Sequence, residues 1–429
     1  MEKTDKINNK QYLCIDLKSF FASVECVERG LDPYTTKLVV ADSERGDTTV
    51  CLAVTPAMKA LGVKSRCRLY EIPKKINFIK APPQMKKYIE YSAEVYGVYL
   101  KYISKDDIHI YSIDEVFIDA TKYLALYKTD ARSLAEKIMK DIYMTTGIPS
   151  ACGIGTNLYL AKIALDITAK KSPHNIGTLD EETYRHTLWD HKPLTDFWNI
   201  GTSTAKTLSS YGIYTMNDIA HYPEETLYRK FGVDAEILID HAWGREPTTI
   251  EDIKNYKTRS HSFSTSQILP RDYKYHEGLL IAKEMGEQLC MDIFNKDICA
   301  KSVTLYVVYS GKDRESDRGT YKFKHPTNLI SDISYGISKL YEKTVDPGKY
   351  VRRICICMNN VEKEVCEQLD FFSDTNKKEK EKNKMKAINR IKIQYGKNSI
   401  FKCRDLESYA TTRERNNQIG GHRSGENKK

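Results

Sequence analysis

The chain has 429 residues, 41% of them hydrophobic, and carries 67 Lys and Arg against 58 Asp and Glu, a net charge of +9. That composition fills ordinary globular cores, and roughly 100–200 residues per domain predicts two to four domains. No charged segment followed by an apolar one opens the chain, and no apolar run approaches the roughly 18–20 residues that span a bilayer, so neither a secretory signal nor a membrane span is expected. The expectation is a soluble, cytoplasmic protein. The mild positive charge suits a phosphate-rich partner without identifying one. Eleven Cys, an odd number with no CxxC pair, read as reduced thiols and not as disulfides or a zinc site.

In chain order, "YLCIDL" (12–17) is short and nearly all apolar, which predicts a buried strand. "SFFASVECVERG" predicts a helix ending at Gly30. Two short strands follow at 37–41 and 50–54, then a short helix with Pro56 in its first turn. Helical periodicity runs over 84–103. "IHIYSIDEVFIDAT" (108–121) reads as two strands around an acidic centre. A helix over 131–145, the strand "SACGIG" and the helix "LYLAKIALDITAKK" complete the set. Removing 28–75 leaves strand, helix, strand, strand, helix, strand, the split βαβ pattern with two helices on one face of a sheet. Residues 195–245 carry short helices punctuated by Gly201 and Gly212 and resemble a helix-hairpin-helix module that grips DNA backbone. Residues 259–361 repeat the strand-helix-strand-strand-helix-strand order. Cys355 and Cys357 share a face there and fit a core. The stretch from 373 is charged and turn-rich, "KKEKEKNKMK" suits a solvated helix face or linker, and the final residues suit disorder.

Asp16 interrupts an apolar strand, and burying an unpaired carboxylate costs several kcal/mol or shifts its pKa. Asp114 and Glu115 sit between two apolar runs. In a split βαβ sheet the first strand neighbours this hairpin, so the three acids can meet although they are far apart in sequence. Alone, an Asp-Glu pair is usually a solvated turn, and Asp16 could cap the following helix. Together they suit two Mg2+ ions, because hard cations take oxygen ligands and leave positions for water and phosphate. Two such ions can clamp the attacking and leaving oxygens of a phosphoryl displacement.

"IDLKSFFASVE", followed about 100 positions later by "YSIDEVFID", resembles the Y-family translesion DNA polymerases. "GIGTNLYLAKIALDITAKK" resembles their next palm motif, and "NIGTSTAKTLSSYGIYTMNDIA" their thumb. Within the family the chain looks closest to the UmuC-like UV-damage repair proteins of Gram-positive bacteria. The resemblance implies an α+β right hand: palm 1–27 and 76–174, fingers 28–75, thumb 175–245, a βαββαβ little finger 255–363 and a tail 364–429. It implies low-fidelity, template-directed synthesis past damaged bases, with UV-damage tolerance and SOS-type mutagenesis as its setting. Its partners would be primer-template DNA, deoxynucleoside triphosphates, a bacterial sliding clamp and any accessory SOS mutagenesis subunits.

The same resemblance makes Asp16, Asp114, Glu115 and the Leu17 carbonyl metal ligands. It places Phe20 and Phe21 at the nucleotide, with Phe21 as steric gate and Phe20 the better candidate for core. Pro56 and Lys59 stand where one branch of the family has a Tyr and an Arg, so the bidentate fork is replaced by a point charge. Lys170 matches a phosphate-binding lysine, with Lys171 as the alternative. DNA contacts fall to Ile200, Gly201 and Arg352, with Arg353, Lys322 and Lys324 as further cations of which only some can face DNA. Asn199 replaces the first Gly of the hairpin, which weakens the close approach of backbone to phosphate. "QLDFF" (Gln368, Leu369, Asp370, Phe371, Phe372) resembles a clamp-docking peptide. Two rivals are a catalytically dead scaffold of the same fold and a nucleotidyl cyclase.

Overall fold

The computed structural model describes residues 10–258, 261–311, 313–364 and 375–425. The chain divides into two compact units, one running to Tyr256 and the other from Lys257 to Arg423, with Ser424 and Gly425 belonging to the first.

The first unit begins β1 (Tyr12–Leu17), α1 (Phe20–Val27), β2 (Leu38–Val40), β3 (Ala53–Val54), α2 (Pro56–Ala60), β4 (Ile79–Ala81), α3 (Met85–Leu100), β5 (Ile108–Ile110) and β6 (Glu115–Asp119). It continues α4 (Thr121–Tyr127), α5 (Ala131–Thr146), β7 (Ser150–Gly155), α6 (Leu158–Ile163) and β8 (Ile176–Leu179). The main sheet has the order β5-β6-β1-β7-β8, antiparallel except for the β7–β8 pair. β8 makes it five strands where four were expected, past the expected palm end at 174. Likewise β2 pairs with both β3 and β4, so the small inserted sheet runs to Ala81, past 75.

β1 is apolar on both sides because both sides are covered. Leu13, Ile15 and Leu17 point into one core with Tyr88 and Val95 of α3 and Leu134 and Ile138 of α5. Tyr12 and Cys14 point into another with Leu158 and Ala161 of α6. The expected two helices on one face are thus joined by a third on the opposite face. α6 lies hard against β7: a Cβ on Gly153 would come within 2.0 Å of the Ala161 carbonyl oxygen, and one on Gly155 within 2.2 Å of the Ala161 nitrogen. The single helix predicted over 158–171 is α6 only as far as Ile163 and then passes into a π-helical turn, Ala164–Thr168.

The unit closes with α7 (Glu181–Leu188), α8 (Thr202–Ser209), α9 (Met216–His221), α10 (Glu224–Phe231), α11 (Asp234–Ala242) and α12 (Ile250–Asn255). α7 to α11 share a core of Tyr184, Phe197, Ile200, Leu208, Ile219 and Leu238.

The second unit contains β9 (Phe263–Tyr273), α13 (Tyr275–Phe294), β10 (Ile298–Tyr309), β11 (Ser316–Thr327), α14 (Ile330–Thr344), β12 (Val351–Asn359) and β13 (Glu362–Lys363). Its main sheet is antiparallel in the order β11-β10-β12-β9, with α13 and α14 over the face that carries Val303, Leu305, Ile354 and Ile356. Cys355 and Cys357 lie on the other face, half-buried and outside the core expected for them, because they alternate with Ile354, Ile356 and Met358. All described cysteines are free thiols.

The described part of the tail, 375–425, is folded: the charged run is helical, as one of its two readings had it, while the disorder expected of the final residues gives way to structure as far as 425. α15 (Thr375–Tyr395), α16 (Thr412–Asn416) and a hairpin of β14 (Gln418–Ile419) and β15 (His422–Arg423) follow. Met385 of α15 is 1% exposed and joins the core under α13 and α14. Glu381 accepts from the Ser331 backbone and hydroxyl at 2.8 and 2.7 Å, and Lys402 pairs with Glu287 at 2.6 Å. Sparse apolar residues in a lysine-rich run conceal one buried anchor. Met385→Ala is expected to destabilise this unit by about 2–4 kcal/mol, read from its denaturant transition. A change below about 0.5 kcal/mol, the usual range for surface positions, would return the tail to a solvated appendage.

Candidate active site

Asp16 and Glu115 are direct partners across the β1–β6 ladder, so their side chains share a face. The Leu17 N–H donates to the Asp114 carbonyl at 2.9 Å, which binds the acidic turn to the end of β1. Leu17, Asp114 and Glu115 line one crevice with Ser92 and Tyr96. Asp16 follows Tyr12 and Cys14 on the α6 side and stands where that core gives out. Ser112 donates its hydroxyl to Asp114 Oδ1 at 2.6 Å. Glu115, 8% exposed, receives Lys162 of α6 at 2.7 Å on Oε1 and the Cys14 thiol at 3.1 Å.

Burial, then the neighbouring charges of Asp114 and Glu115, push the Asp16 carboxyl up to about 7, against the opposing pull of Lys162 and Lys170. Burial disfavours the Lys162 ammonium, but Cys14, Glu115 and Asp166 outweigh it and hold its pKa above the ordinary lysine value. Among the described residues no three His, Cys, Asp or Glu side chains converge into a ready metal cluster. The donor set nevertheless fits divalent ions of the hard kind. Three crowded carboxylates favour a cation, and Mg2+ normally completes its shell with substrate phosphates and water.

Of the two aromatic residues expected at the nucleotide, Phe20 is 2% exposed and belongs to the core, the alternative the sequence already favoured for it. Phe21 is half-buried and stacks on Tyr88, with centroids 4.4 Å apart and planes 15° from parallel. The Tyr88 hydroxyl donates to buried Glu25 at 2.6 Å, which also receives Gln84. Lys59, at the end of α2, has its pKa lowered by loss of water around the ammonium, with Asp16 opposing and Lys170 adding to the shift. Lys59 and Lys170 therefore lie within electrostatic reach of Asp16 and each other. Lys170 pairs with Asp166 at 3.3 Å. The Lys171 side chain is not among those described.

In the hairpin, Asn199 adopts φ +67°, the left-handed conformation that Asn tolerates better than most residues, so it takes over the backbone role of glycine. The Ile200 side chain is buried, leaving backbone as the outward surface there. Gly201 precedes α8, and a Cβ on it would meet nothing within 4 Å, an open approach for a phosphate. Trp198 seats the hairpin on the sheet: its indole donates to the Tyr111 hydroxyl at 3.0 Å, and its ring lies 5.9 Å from that of Phe117.

In the second unit, Arg318, Lys322 and Lys324 alternate with inward Tyr321 and Phe323, and all three are exposed. A register shift beside Arg352 breaks the alternation of β12. Arg353 thereby joins the open face, while Arg352 reaches Asp272 at 3.6 Å. Sequence reasoning missed Lys162, Tyr88, Trp198 and Arg318. The signals were a lysine inside an apolar helix, aromatic residues beside the acidic motifs, and a cation in step with Lys322 and Lys324.

Residues 15–166 match the impB/mucB/samB family, and 260–371 match the impB/mucB/samB family C-terminal domain. A Bacillus subtilis (strain 168) protein named for UV-damage repair, UvrX, is 32% identical over 97% of this chain and 98% of its own length. DNA polymerase IV 2 of the same organism is 30% identical over 97% of this chain and 99% of its own. A solved Y-family DNA polymerase chimera has the same fold, with a TM-score of 0.65 at 22% identity over 82% of this chain and 99% of that one. Fold and relatives together define a Y-family DNA polymerase. The chain belongs to the impB/mucB/samB family, in its UmuC-like branch.

Proposed function

We propose that this polymerase extends primers past damaged template bases, with low fidelity, by two-metal nucleotidyl transfer at the edge formed by Asp16, Asp114 and Glu115. The observation that carries the reading is the pairing of Asp16 with Glu115 across β1 and β6, with Asp114 on the adjoining turn. These carboxylates and the Leu17 carbonyl would hold the ions. Bound Mg2+ supplies charge stabilisation to the attacking and leaving oxygens of the displacement. Lys59 and Lys170 neutralise the triphosphate as point charges, and Phe21 packs under the sugar. The hairpin backbone at Asn199–Gly201 and the cationic open face of the second unit hold phosphates, contacts that position DNA without reading sequence.

The small inserted unit supports lesion tolerance. Its core consists mainly of Val39, Ala41, Cys51, Val54, Met58, Val63, Leu69 and Ile72. So small a body encloses little of a base pair, which leaves room for damaged bases. The intact acids argue against a dead scaffold, and the hairpin and second unit argue against a cyclase. Primer extension on undamaged templates and a panel of defined lesions, with and without Mg2+, tests the reading. Metal-independent extension, or stalling at every lesion, would overturn it. We place the activity in the cytoplasm, in UV-damage tolerance of the SOS type, with any accessory subunits joining there. No described helix is long and apolar enough to cross a membrane.

The reading extends to a sliding clamp through Gln368, Leu369, Asp370, Phe371 and Phe372, which lie outside the described residues. Burying three large apolar side chains in a partner contributes about 1.5–3 kcal/mol each before ordering costs, which leaves roughly micromolar affinity. Such a tether raises the local concentration at the primer end. A loaded bacterial clamp is expected to stimulate the wild type and not the triple variant Leu369→Ala, Phe371→Ala, Phe372→Ala, with both equal in its absence. Equal stimulation would remove the docking role.

A further inference from the structure

Lys162 is a charged residue inside the apolar stretch 158–165, and its side chain is about one-tenth exposed (10%). A buried ammonium persists only where its charge is met. Here Nζ lies 2.7 Å from Glu115 Oε1 and 2.9 Å from Oε2, gripping both oxygens of one carboxylate. Asp166, in the π-helical turn, takes the same ammonium at 3.1 Å and also pairs with Lys170. The Tyr111 ring covers it with its centroid 5.8 Å from Nζ, and that tyrosine is itself held by Trp198. The close packing of α6 on Gly153 and Gly155 is what brings the lysine to the strand carrying Glu115. π-helical turns inside helices recur at functional sites, because the extra residue re-aims side chains.

We propose that Lys162 is a positioning residue that holds the Glu115 carboxylate and competes with divalent cations for its oxygens, so that this ion pair sets the metal requirement of the polymerase. The inference rests on the reading of Glu115 as a metal ligand. An ammonium in contact with a ligand repels an approaching dication and occupies the lone pairs it needs. Asp166 moderates the competition by drawing on the same ammonium. Neutralising Asp166 therefore tightens the grip of Lys162 on Glu115, and neutralising Lys162 releases it.

The test uses the full chain bound to primer-template DNA ending in a dideoxynucleotide, with the next deoxynucleoside triphosphate present, so that no turnover occurs. Mg2+ is titrated and the rise in Tm is followed, because a ligand bound only by the folded state raises it. The Mg2+ concentration giving half of that rise is expected to fall about fivefold or more in Lys162→Met, since about fivefold is what one unit charge exerts at roughly 4 Å even with the full screening of bulk water. It is expected to rise in Asp166→Asn and to stay near wild type in Lys162→Arg. A purely structural ion pair would lower the metal-free Tm of Lys162→Met without moving the midpoint, and that result overturns the inference. If Lys162→Met does not fold, Asp166→Asn decides alone, and an unmoved midpoint there is equally fatal. Glu115→Gln separates the two readings. Should it keep the wild-type metal response, Glu115 is no ligand; should it lose that response while the lysine and aspartate variants keep wild-type midpoints, only the role of Lys162 fails.

Discussion

Asp114→Ala is expected to abolish nucleotide addition while leaving primer-template binding within a few-fold of wild type. The Asp114 carboxylate is half-buried and accepts the hydroxyl of neutral Ser112, so its removal strands no charge. The backbone bond from the Leu17 N–H to the Asp114 carbonyl is indifferent to the side chain, so β1 and β6 keep their register. What is lost is one of three carboxylates that would stabilise an in-line displacement, at least a thousandfold in rate or about 4 kcal/mol of barrier. Glu115→Ala should be as inactive but less clean. It leaves the buried Lys162 ammonium without its main partner, a loss of about 3–5 kcal/mol in stability. Single-nucleotide insertion under saturating substrate, beside a DNA-binding titration, distinguishes these outcomes. Near-normal insertion by folded Asp114→Ala would remove the two-metal assignment.

The legible part of this site was the part written in local pattern. "YLCIDL" and "SACGIG" read as strands and are strands over the same residues, 12–17 and 150–155, because a strand covered on both faces needs an unbroken apolar run. A carboxylate inside such a run is conspicuous, and two more, Asp114 on the turn before β6 and Glu115 at its first position, complete the set. What escaped notice depends on contacts across the chain. β8 is four residues, "IGTL", too short and too plain to signal a strand until β7 lies beside it. Lys162 lies within a predicted helix, and its meaning lies in the distance to Glu115, 47 positions earlier. The folded tail hid for a similar reason: mean composition described α15 correctly as solvated on most of its surface, while one methionine and a few ion pairs fix it. In β12 the register shift falls between Val351 and Arg353, so Val351 faces the core while Arg353 takes the open face with Cys355 and Cys357, an irregularity that no local pattern marks.

The cations proposed for the nucleotide were legible only in part. Pro56 and Lys59 looked like losses when compared with a Tyr and an Arg, respectively, at those positions. In the fold, Lys59 and Lys170 come within electrostatic reach of Asp16 from separate elements, so in the proposed role neutralisation of phosphate would be divided between two point charges. An ammonium follows a displaced phosphate more readily than a planar guanidinium fork does. In the proposed bypass role, looser guidance of the triphosphate would agree with the small inserted core.

Phe21→Ala is expected to raise the ratio of ribonucleotide to deoxynucleotide insertion by about a hundredfold or more, about 3 kcal/mol of discrimination, while slowing deoxynucleotide insertion far less. A gate of this kind works only if its ring cannot retreat. Phe21 is stacked on Tyr88, and Tyr88 is fixed by its hydrogen bond to Glu25, which Arg29 and Gln84 hold in turn. A ribose 2′-hydroxyl pressing on Phe21 would therefore meet a ring backed by Tyr88, which limits relief of the clash. Truncation to Ala removes the ring and leaves Tyr88 behind it, which keeps the floor of the site closed. The stability loss should be moderate, since Phe21 is half-buried and its stacking is worth about 0.5–1.5 kcal/mol beyond burial. Steady-state insertion of matched ribo- and deoxynucleotides opposite one template base gives the ratio directly. An unchanged ratio in a folded protein would remove Phe21 from the role. Phe20, 2% exposed among the core residues of α1 and α3, has no surface with which to take it over.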